Sequence, residues 1–155
     1  MISLDYIDQG ATVASSPTVC MHCEDPVAPC AEVCPTDAIL VTPDGVVQEA
    51  AKERCIGCGN CVHACPFGVP KLDIEEMLQY KCNLCYDRTS VGLAPMCAAV
   101  CPTSSIFYGT IDELLTARPG AAATDIVVFG DQEIRTGVAT VVPATYPHDT
   151  VPGGY

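Results

Sequence analysis

Residues 55–68 read CIGCGNCVHACPFG, in which three cysteines recur every third residue, a fourth follows four residues later, and proline comes next. Thiols this close together cannot all be packed as ordinary core side chains, so whatever bonds them dictates the path of the backbone around them. The chain has 155 residues, room for one compact domain of ordinary size or two very small ones. Twelve of them are cysteine, with only three Phe and no Trp. That density is usual only in disulfide scaffolds and metal proteins. In so small a fold the group joining the cysteines is expected to be the principal core.

All twelve cysteines fall into three quartets: Cys20, Cys23, Cys30 and Cys34; Cys55, Cys58, Cys61 and Cys65; Cys82, Cys85, Cys97 and Cys101. Each quartet opens with C-x2-C and closes with C-x3-C-P, so the chain carries a degenerate internal repeat. An apolar residue follows each proline at short range: Ile39, Val69 and Ile106.

Three chemistries compete for such thiols. Disulfides suit small secreted domains, but MISLDYIDQGATVASSP has neither a basic n-region nor twin arginines, so it does not look like an export signal. A cytoplasmic location is expected, where dithiols stay reduced; export beside a signal-bearing partner is the alternative. Zinc accepts four thiolates and shares the C-x2-C knuckle, yet it gives no reason for C-x2-C-x2-C-x3-C-P. That run is the signature of a cubane iron–sulfur cluster held by three local cysteines, its fourth cysteine being given to a neighbouring cluster.

A short loop wrapped around a cube can present Cys55, Cys58 and Cys61 to three iron corners with its amide hydrogens turned toward the sulfides. Gly57 and Gly59 relax the steric limits of that loop, and Pro66 steers the chain out of it. If the first two quartets form a two-cluster module, one cluster takes Cys20, Cys23, Cys30 and Cys65, and the other takes Cys55, Cys58, Cys61 and Cys34. The third quartet has no further motif to trade with, so Cys82, Cys85, Cys97 and Cys101 are expected to serve one cluster themselves. Twelve ligands then hold three [4Fe–4S] clusters.

The remaining sequence predicts small elements. AILVTPDGVVQEA has apolar runs on either side of Pro43-Asp44-Gly45 and reads as a hairpin. Asp73-Ile-Glu-Glu76 has the form of a capping box opening a short helix through Tyr80. Thr110-Ile-Asp-Glu113 is a second such start, with a stop at Pro119-Gly120. DIVVF (125–129) and TGVATVV (136–142) read as strands, and the tail YPHDTVPGGY as either loose or extended along a partner.

Net charge is −12, from 19 acidic and 7 basic residues, which argues against nucleic acid and anionic lipid as partners. No stretch approaches the roughly 18 apolar residues of a membrane span. There is no P-loop, no G-x-G-x-x-G and no serine nucleophile motif, so no catalytic residues are expected. His22 and His63 sit inside cysteine loops, where they either tune a cluster or face solvent. Lys52, Arg54, Lys71, Lys81 and Arg88 lie near the quartets, positioned to offset cluster charge or to meet a partner's carboxylates. The residues point to electron relay, with the reaction carried out elsewhere.

The wording CMHCEDPVAPCAEVCPTDAI, DGVV, CIGCGNCVHACPFGVPKLD and KCNLCYDRTSVGLAPMCAAVCPTSSIFYG resembles the ferredoxin-like electron-transfer subunits of molybdopterin or tungstopterin oxidoreductases, the dimethyl sulfoxide reductase and formate dehydrogenase type, over roughly residues 18–117. The resemblance implies a non-catalytic subunit passing electrons between a pterin-containing catalytic subunit and another redox partner. Family members generally hold four clusters in two pseudo-symmetric modules. Here residues 1–19 contain no cysteine, so the usual first motif is missing. Cys101 then either stays with its own quartet, or the cluster is completed by a partner or left incomplete. This departure favours a soluble arrangement, with a flavin subunit or a soluble acceptor as second partner.

The fold expected is α+β, ferredoxin-like of the bacterial two-cluster type, with an additional cluster-binding half-module. Its parts are an N-terminal segment (1–19), a two-cluster module (20–70), a third cluster-binding module (71–120), and C-terminal strands with an extended tail (121–155). A free-standing polyferredoxin and a zinc-binding assembly protein are the competing readings.

Overall fold

A computed structural model describes residues 2–8, 10–11 and 13–144; the tail YPHDTVPGGY, with His148, lies outside the described residues. The chain is α+β, with every element short, and divides into two compact units between Asn83 and Leu84.

The first unit opens with strands β1 (Ser3–Asp8) and β2 (Val13–Thr18), an antiparallel hairpin in register from Ser3 opposite Thr18 to Asp8 opposite Val13. The Asp8 carboxylate accepts the Gly10 amide at 2.8 Å and fixes the turn. A short strand β3 (Cys23–Asp25) and a helical turn α1 (Pro29–Glu32) follow. Then come hairpin β4 (Ile39–Val41) and β5 (Val47–Ala50), helix α2 (Asn60–Ala64), and hairpin β6 (Lys71–Asp73) and β7 (Leu78–Tyr80).

The first of these hairpins follows the sequence reading. The Thr42 hydroxyl accepts the Val46 amide at 3.0 Å, and Gly45 supplies the left-handed residue at φ +84°. Ile39 and Val47 point into a small core with Ala28, Ala38, Ala50, Leu78, Cys30 and Cys61. Nothing larger than leucine fills that core, and the largest side chains with no exposure at all include the amide Gln79.

Residues 73–80 depart from expectation. The Asp73 carboxylate does accept the amides of Glu75 (2.9 Å) and Glu76 (3.0 Å), as in a helix cap, but no helix follows. The same bonds close an Asx turn when the next residues have a strand partner. Here Lys71, Leu72 and Asp73 pair with Tyr80, Gln79 and Leu78, and Met77 turns the chain at φ +51°. Burial of Leu78 and Gln79 on opposite sides of the strand decides for β. Strand β7 packs on β5, and the first unit runs to Asn83.

The second unit contains α3 (Tyr86–Thr89), α4 (Met96–Ala99), α5 (Ile111–Ala117) and a long hairpin, β8 (Ala121–Phe129) with β9 (Gln132–Pro143). The expected strands at 125–129 and 136–142 are therefore parts of longer ones, joined through Gly130 at φ +59°. Helix α5 begins with both halves of the capping box: the Thr110 hydroxyl accepts the Glu113 amide at 3.2 Å, and the Glu113 carboxylate accepts the Thr110 amide at 2.8 Å. Replacing Thr110 by Ala removes the first of these bonds. It is expected to cost about 1 kcal/mol, read as a shift in the denaturation midpoint of the intact protein.

Candidate metal centres

The sequence repeat is also a repeat of backbone conformation. In each C-x2-C the residue before the second cysteine is left-handed: His22 at φ +47°, Gly57 at +66° and Leu84 at +58°. In each quartet the third cysteine lies in a short helix, Cys30 in α1, Cys61 in α2 and Cys97 in α4. After each closing cysteine and its proline the chain turns back. The amides of Asp37, Gly68 and Ser104 donate to the carbonyls of Cys34, Cys65 and Cys101 at 3.3, 3.2 and 3.2 Å, and those three donors are again left-handed. A left-handed residue next to right-handed ones turns successive N–H groups to one side, a concavity suited to an anion. Two of the three C-x2-C turns place this conformation on His or Leu, where it costs roughly 1–3 kcal/mol, a strain that persists only where surroundings impose it.

None of the twelve cysteines, all among the described residues, is joined to another by a disulfide. Cys20, Cys23, Cys30 and Cys65 border one cavity of about 330 Å³ including its open mouth. Cys34, Cys55, Cys58 and Cys61 border a second of about 340 Å³. Each cavity thus has three thiols from one motif and one from the other. The walls are apolar: Val47, Phe67 and Val69 at the first, Ile39, Ile56 and Leu72 at the second. Among the described residues no three Cys, His, Asp or Glu side chains gather at single-ion distance; the thiols face one another across space. Of the third quartet, Cys82 is buried in the first unit against Cys20 and Val69, while Cys85, Cys97 and Cys101 belong to the second unit.

The thiols differ in electrostatics. Burial raises the pKa of Cys20, Cys61, Cys23 (to about 11) and Cys30 (to about 12), which favours their protonated forms. Burial also acts to raise Cys34, but hydrogen bonds from Thr36, Ala38 and Ile39 outweigh it and leave the pKa below the ordinary value. The Ala38 amide donates to Cys34 Sγ at 3.2 Å, and Thr36 Oγ1 stands 3.7 Å away. Cys101 repeats this pattern. The Ser105 hydroxyl at 3.3 Å, the Ile106 amide and the Thr103 hydroxyl at 3.6 Å bring it down to about 6. Donors are thus in place on closing-cysteine sulfurs that would carry negative charge as ligands.

Cation placement was partly hidden in the sequence. Lys81 is buried at 3% exposure, borders the first cavity, and donates to the carbonyls of Val47 and Cys82. Lys71 Nζ holds the Gly68 carbonyl at 3.0 Å, and Arg88 Nε holds that of Ala94 at 3.0 Å. Lys52 pairs with Glu76 at 3.7 Å, and Arg54 is exposed. His63 faces solvent, whereas His22 is buried and accepts the Val47 amide through Nδ1 at 3.1 Å. Burial, followed by the Lys81 charge, lowers the His22 pKa to about 4, so the ring is neutral near pH 7. Its Nε2 is buried with no partner among the described residues. Gln79, which borders the second cavity, is the other residue that sequence reasoning missed; an amide inside a short hairpin gives no signal of its own.

The residues present fit an iron–sulfur cluster: four thiols around each of two cavities, a left-handed residue at each C-x2-C turn, and N–H or O–H donors on sulfur. Comparison with known proteins agrees. A family model described as a 4Fe-4S dicluster domain matches residues 11–111. The protein is 48% identical over 96 residues to the iron-sulfur subunit of the nitrate-inducible formate dehydrogenase of Escherichia coli K12, covering 62% of this chain and 32% of that one. It is 42% identical over 123 residues to the thiosulfate reductase electron transfer subunit PhsB of Salmonella typhi (79% and 61%). It is 42% identical over 104 residues to a subunit of the anaerobic dimethyl sulfoxide reductase of E. coli K12 (67% and 49%). The chain spans about a third of the formate dehydrogenase subunit's length and three-fifths of the thiosulfate reductase subunit's.

The two glycines of the second motif separate sterics from conformation. A Cβ at Gly57 would stand 2.7 Å from Met77 Cε and 3.0 Å from the Met77 carbonyl oxygen, whereas one at Gly59 (φ +77°) meets nothing within 4 Å. Gly59→Ala is expected to cost about 1–2 kcal/mol through its left-handed backbone alone. Gly57→Ala is expected to cost more and to lower the iron retained per chain. Metal analysis and thermal denaturation of the two variants side by side check the order.

Proposed function

This chain belongs to the 4Fe-4S dicluster domain family, and on that basis we propose that it relays single electrons through three [4Fe–4S] clusters as a subunit of an oxidoreductase whose catalytic subunit carries molybdopterin or tungstopterin. A flavin subunit or a soluble acceptor is the proposed second partner. The observation that carries this reading is the crossed set of thiols around each cavity: Cys20, Cys23 and Cys30 with Cys65, and Cys55, Cys58 and Cys61 with Cys34. Two mononuclear knuckles would have no need to exchange their last cysteines, whereas two adjacent cubanes held by the C-x2-C-x2-C-x3-C-P rule do. The third cluster is assigned to Cys82, Cys85, Cys97 and Cys101, supported by the recurrence of the left-handed C-x2-C turn and of the helix and proline turn around the closing cysteine.

Such clusters, when bound, take up and release one electron without making or breaking a bond to substrate. The chain's own part is to hold the sulfurs, direct amide and hydroxyl hydrogens at them, and keep water off one side. Apolar walls and the buried Cys20, Cys30 and Cys61 do the last. A subunit docked in a larger complex, in preference to a freely diffusing carrier, is supported by Val91, Leu93, Met96 and Val100. All four are exposed, by 48–69%, within the segment that also carries Cys97. No helix among the described residues is long and apolar enough to cross a membrane.

Anaerobically purified protein is expected to contain about twelve iron and twelve acid-labile sulfide per chain. Crossing makes a sharper statement for Cys→Ser variants followed by EPR of the reduced protein. Cys65→Ser is expected to alter the same cluster signal as Cys20→Ser, and Cys34→Ser the same signal as Cys58→Ser. Grouping by sequence motif, with Cys65 falling beside Cys58, would reject the ligand assignment; zinc in place of iron would reject the redox reading altogether.

A further inference from the structure

The two cavities are matched in thiols and in volume but not in their polar neighbours. Beside Thr36 at the second cavity, two polar neighbours come from one stretch of chain. Gln79, in β7, borders the second cavity, and Lys81, two residues on, borders the first. Residues two apart on extended chain lie on the same side. Neither side chain reaches solvent, with exposures of 1% and 3%.

Each is anchored in a way that fixes what it offers. The Ala50 amide donates to Gln79 Oε1 at 2.9 Å. Only the oxygen can accept that hydrogen, so the orientation of the amide is settled and both Nε2 hydrogens face elsewhere. Nε2 is buried with no acceptor among the described residues. A buried N–H without a partner is costly, so an acceptor from outside the polypeptide belongs beside it. Lys81 Nζ commits two hydrogens to the carbonyls of Val47 and Cys82 and keeps one, along with its full charge.

We propose that Gln79 and Lys81 are separate tuning residues for the two clusters: the Lys81 ammonium favours the reduced form of the cluster held by Cys20, Cys23, Cys30 and Cys65, and the Gln79 amide donates to sulfur of the cluster held by Cys34, Cys55, Cys58 and Cys61. Reduction adds negative charge, so a buried cation or an N–H donor on sulfur raises the potential, and a whole charge acts more strongly than a neutral donor. Two residues of one short stretch, Gln79 in β7 and Lys81 just past its end, thereby give neighbouring, otherwise similar centres unequal potentials. The inference rests on the cluster reading above.

The test is a potentiometric EPR titration of the fully assembled protein, with signals assigned through the Cys20→Ser and Cys34→Ser variants and iron measured in each sample. Lys81→Gln is expected to lower the reduction equilibrium of the signal affected by Cys20→Ser about tenfold or more, equivalent to 59 mV for one electron, and to leave the other in place. Gln79→Leu is expected to lower only the signal affected by Cys34→Ser, and by less. Lys81→Arg, which keeps the charge, is expected to stay close to the parent. Signals that do not move in iron-replete variants, or that move together, overturn the proposal. So does a Lys81→Gln protein that takes up no iron, because Lys81 then holds the fold and not the potential. A parent protein without iron would instead defeat the cluster reading itself.

Discussion

The left-handed residue inside each C-x2-C is the constraint on which the rest of the first unit depends. Two cysteines three apart on a helix or a strand would send their sulfurs in directions set by that element. In the first two motifs one residue at positive φ turns the chain so that both cysteines border one cavity. This conformation is unfavourable for His22 and Leu84. In the first unit a small apolar core built on Val47, Ile39 and Leu78 works against that cost, full burial of each such side chain contributing about 1.5–3 kcal/mol. Burial favours the protonated form of Cys20, Cys23 and Cys30, and metal binding displaces those protons. A chain arranged in this way makes metal binding part of its folding free energy.

Because only the sulfur positions are constrained, the chain between them is free to vary. The second and third cysteines are separated by two residues in the middle quartet, six in the first and eleven in the third. In the middle quartet Gly59 at φ +77° leads straight into α2. In the third, helix α3 occupies the longer insertion. All three paths end alike, in a helical turn carrying the third cysteine and a proline-marked turn after the fourth.

This division also explains what could be read from sequence. Cysteine spacing reports covalent geometry, so the grouping of thiols, including the crossing of Cys34 and Cys65, is legible from the motif rule alone. Turn residues with a single conformational meaning, such as Pro43-Asp44-Gly45, were legible for the same reason. Asp73 was not, because a carboxylate accepting two amides begins a helix or an Asx turn with the same bonds, and strand pairing with Lys71–Asp73 decides the outcome. The hairpin of β1 and β2 carried no expectation, although SLDYID and VASSPT flank an Asp-Gln-Gly turn sequence. Gln79 escaped notice, and the burial of Lys81 and His22 was not legible, because their placement depends on pairing with Ala50 and Val47, roughly 25 to 35 residues away in sequence.

The few cations give the last step. Of seven basic residues, four donate to backbone carbonyls beside cysteine motifs: Lys71 to Gly68, Lys81 to Val47 and Cys82, Arg88 to Ala94, and Arg118 to Ser104. Gly68 and Ser104 are the left-handed residues after the second and third closing cysteines. A cation on the outward carbonyl stabilises the orientation in which neighbouring amides face inward, so positive charge is used in shaping the thiol loops. Lys52 is engaged as well, by Glu76. The nineteen carboxylates far outnumber the seven basic groups, and thiolate-bound clusters would add to that negative charge. A net charge of this sign permits electrostatic docking to a basic surface and equally serves solubility.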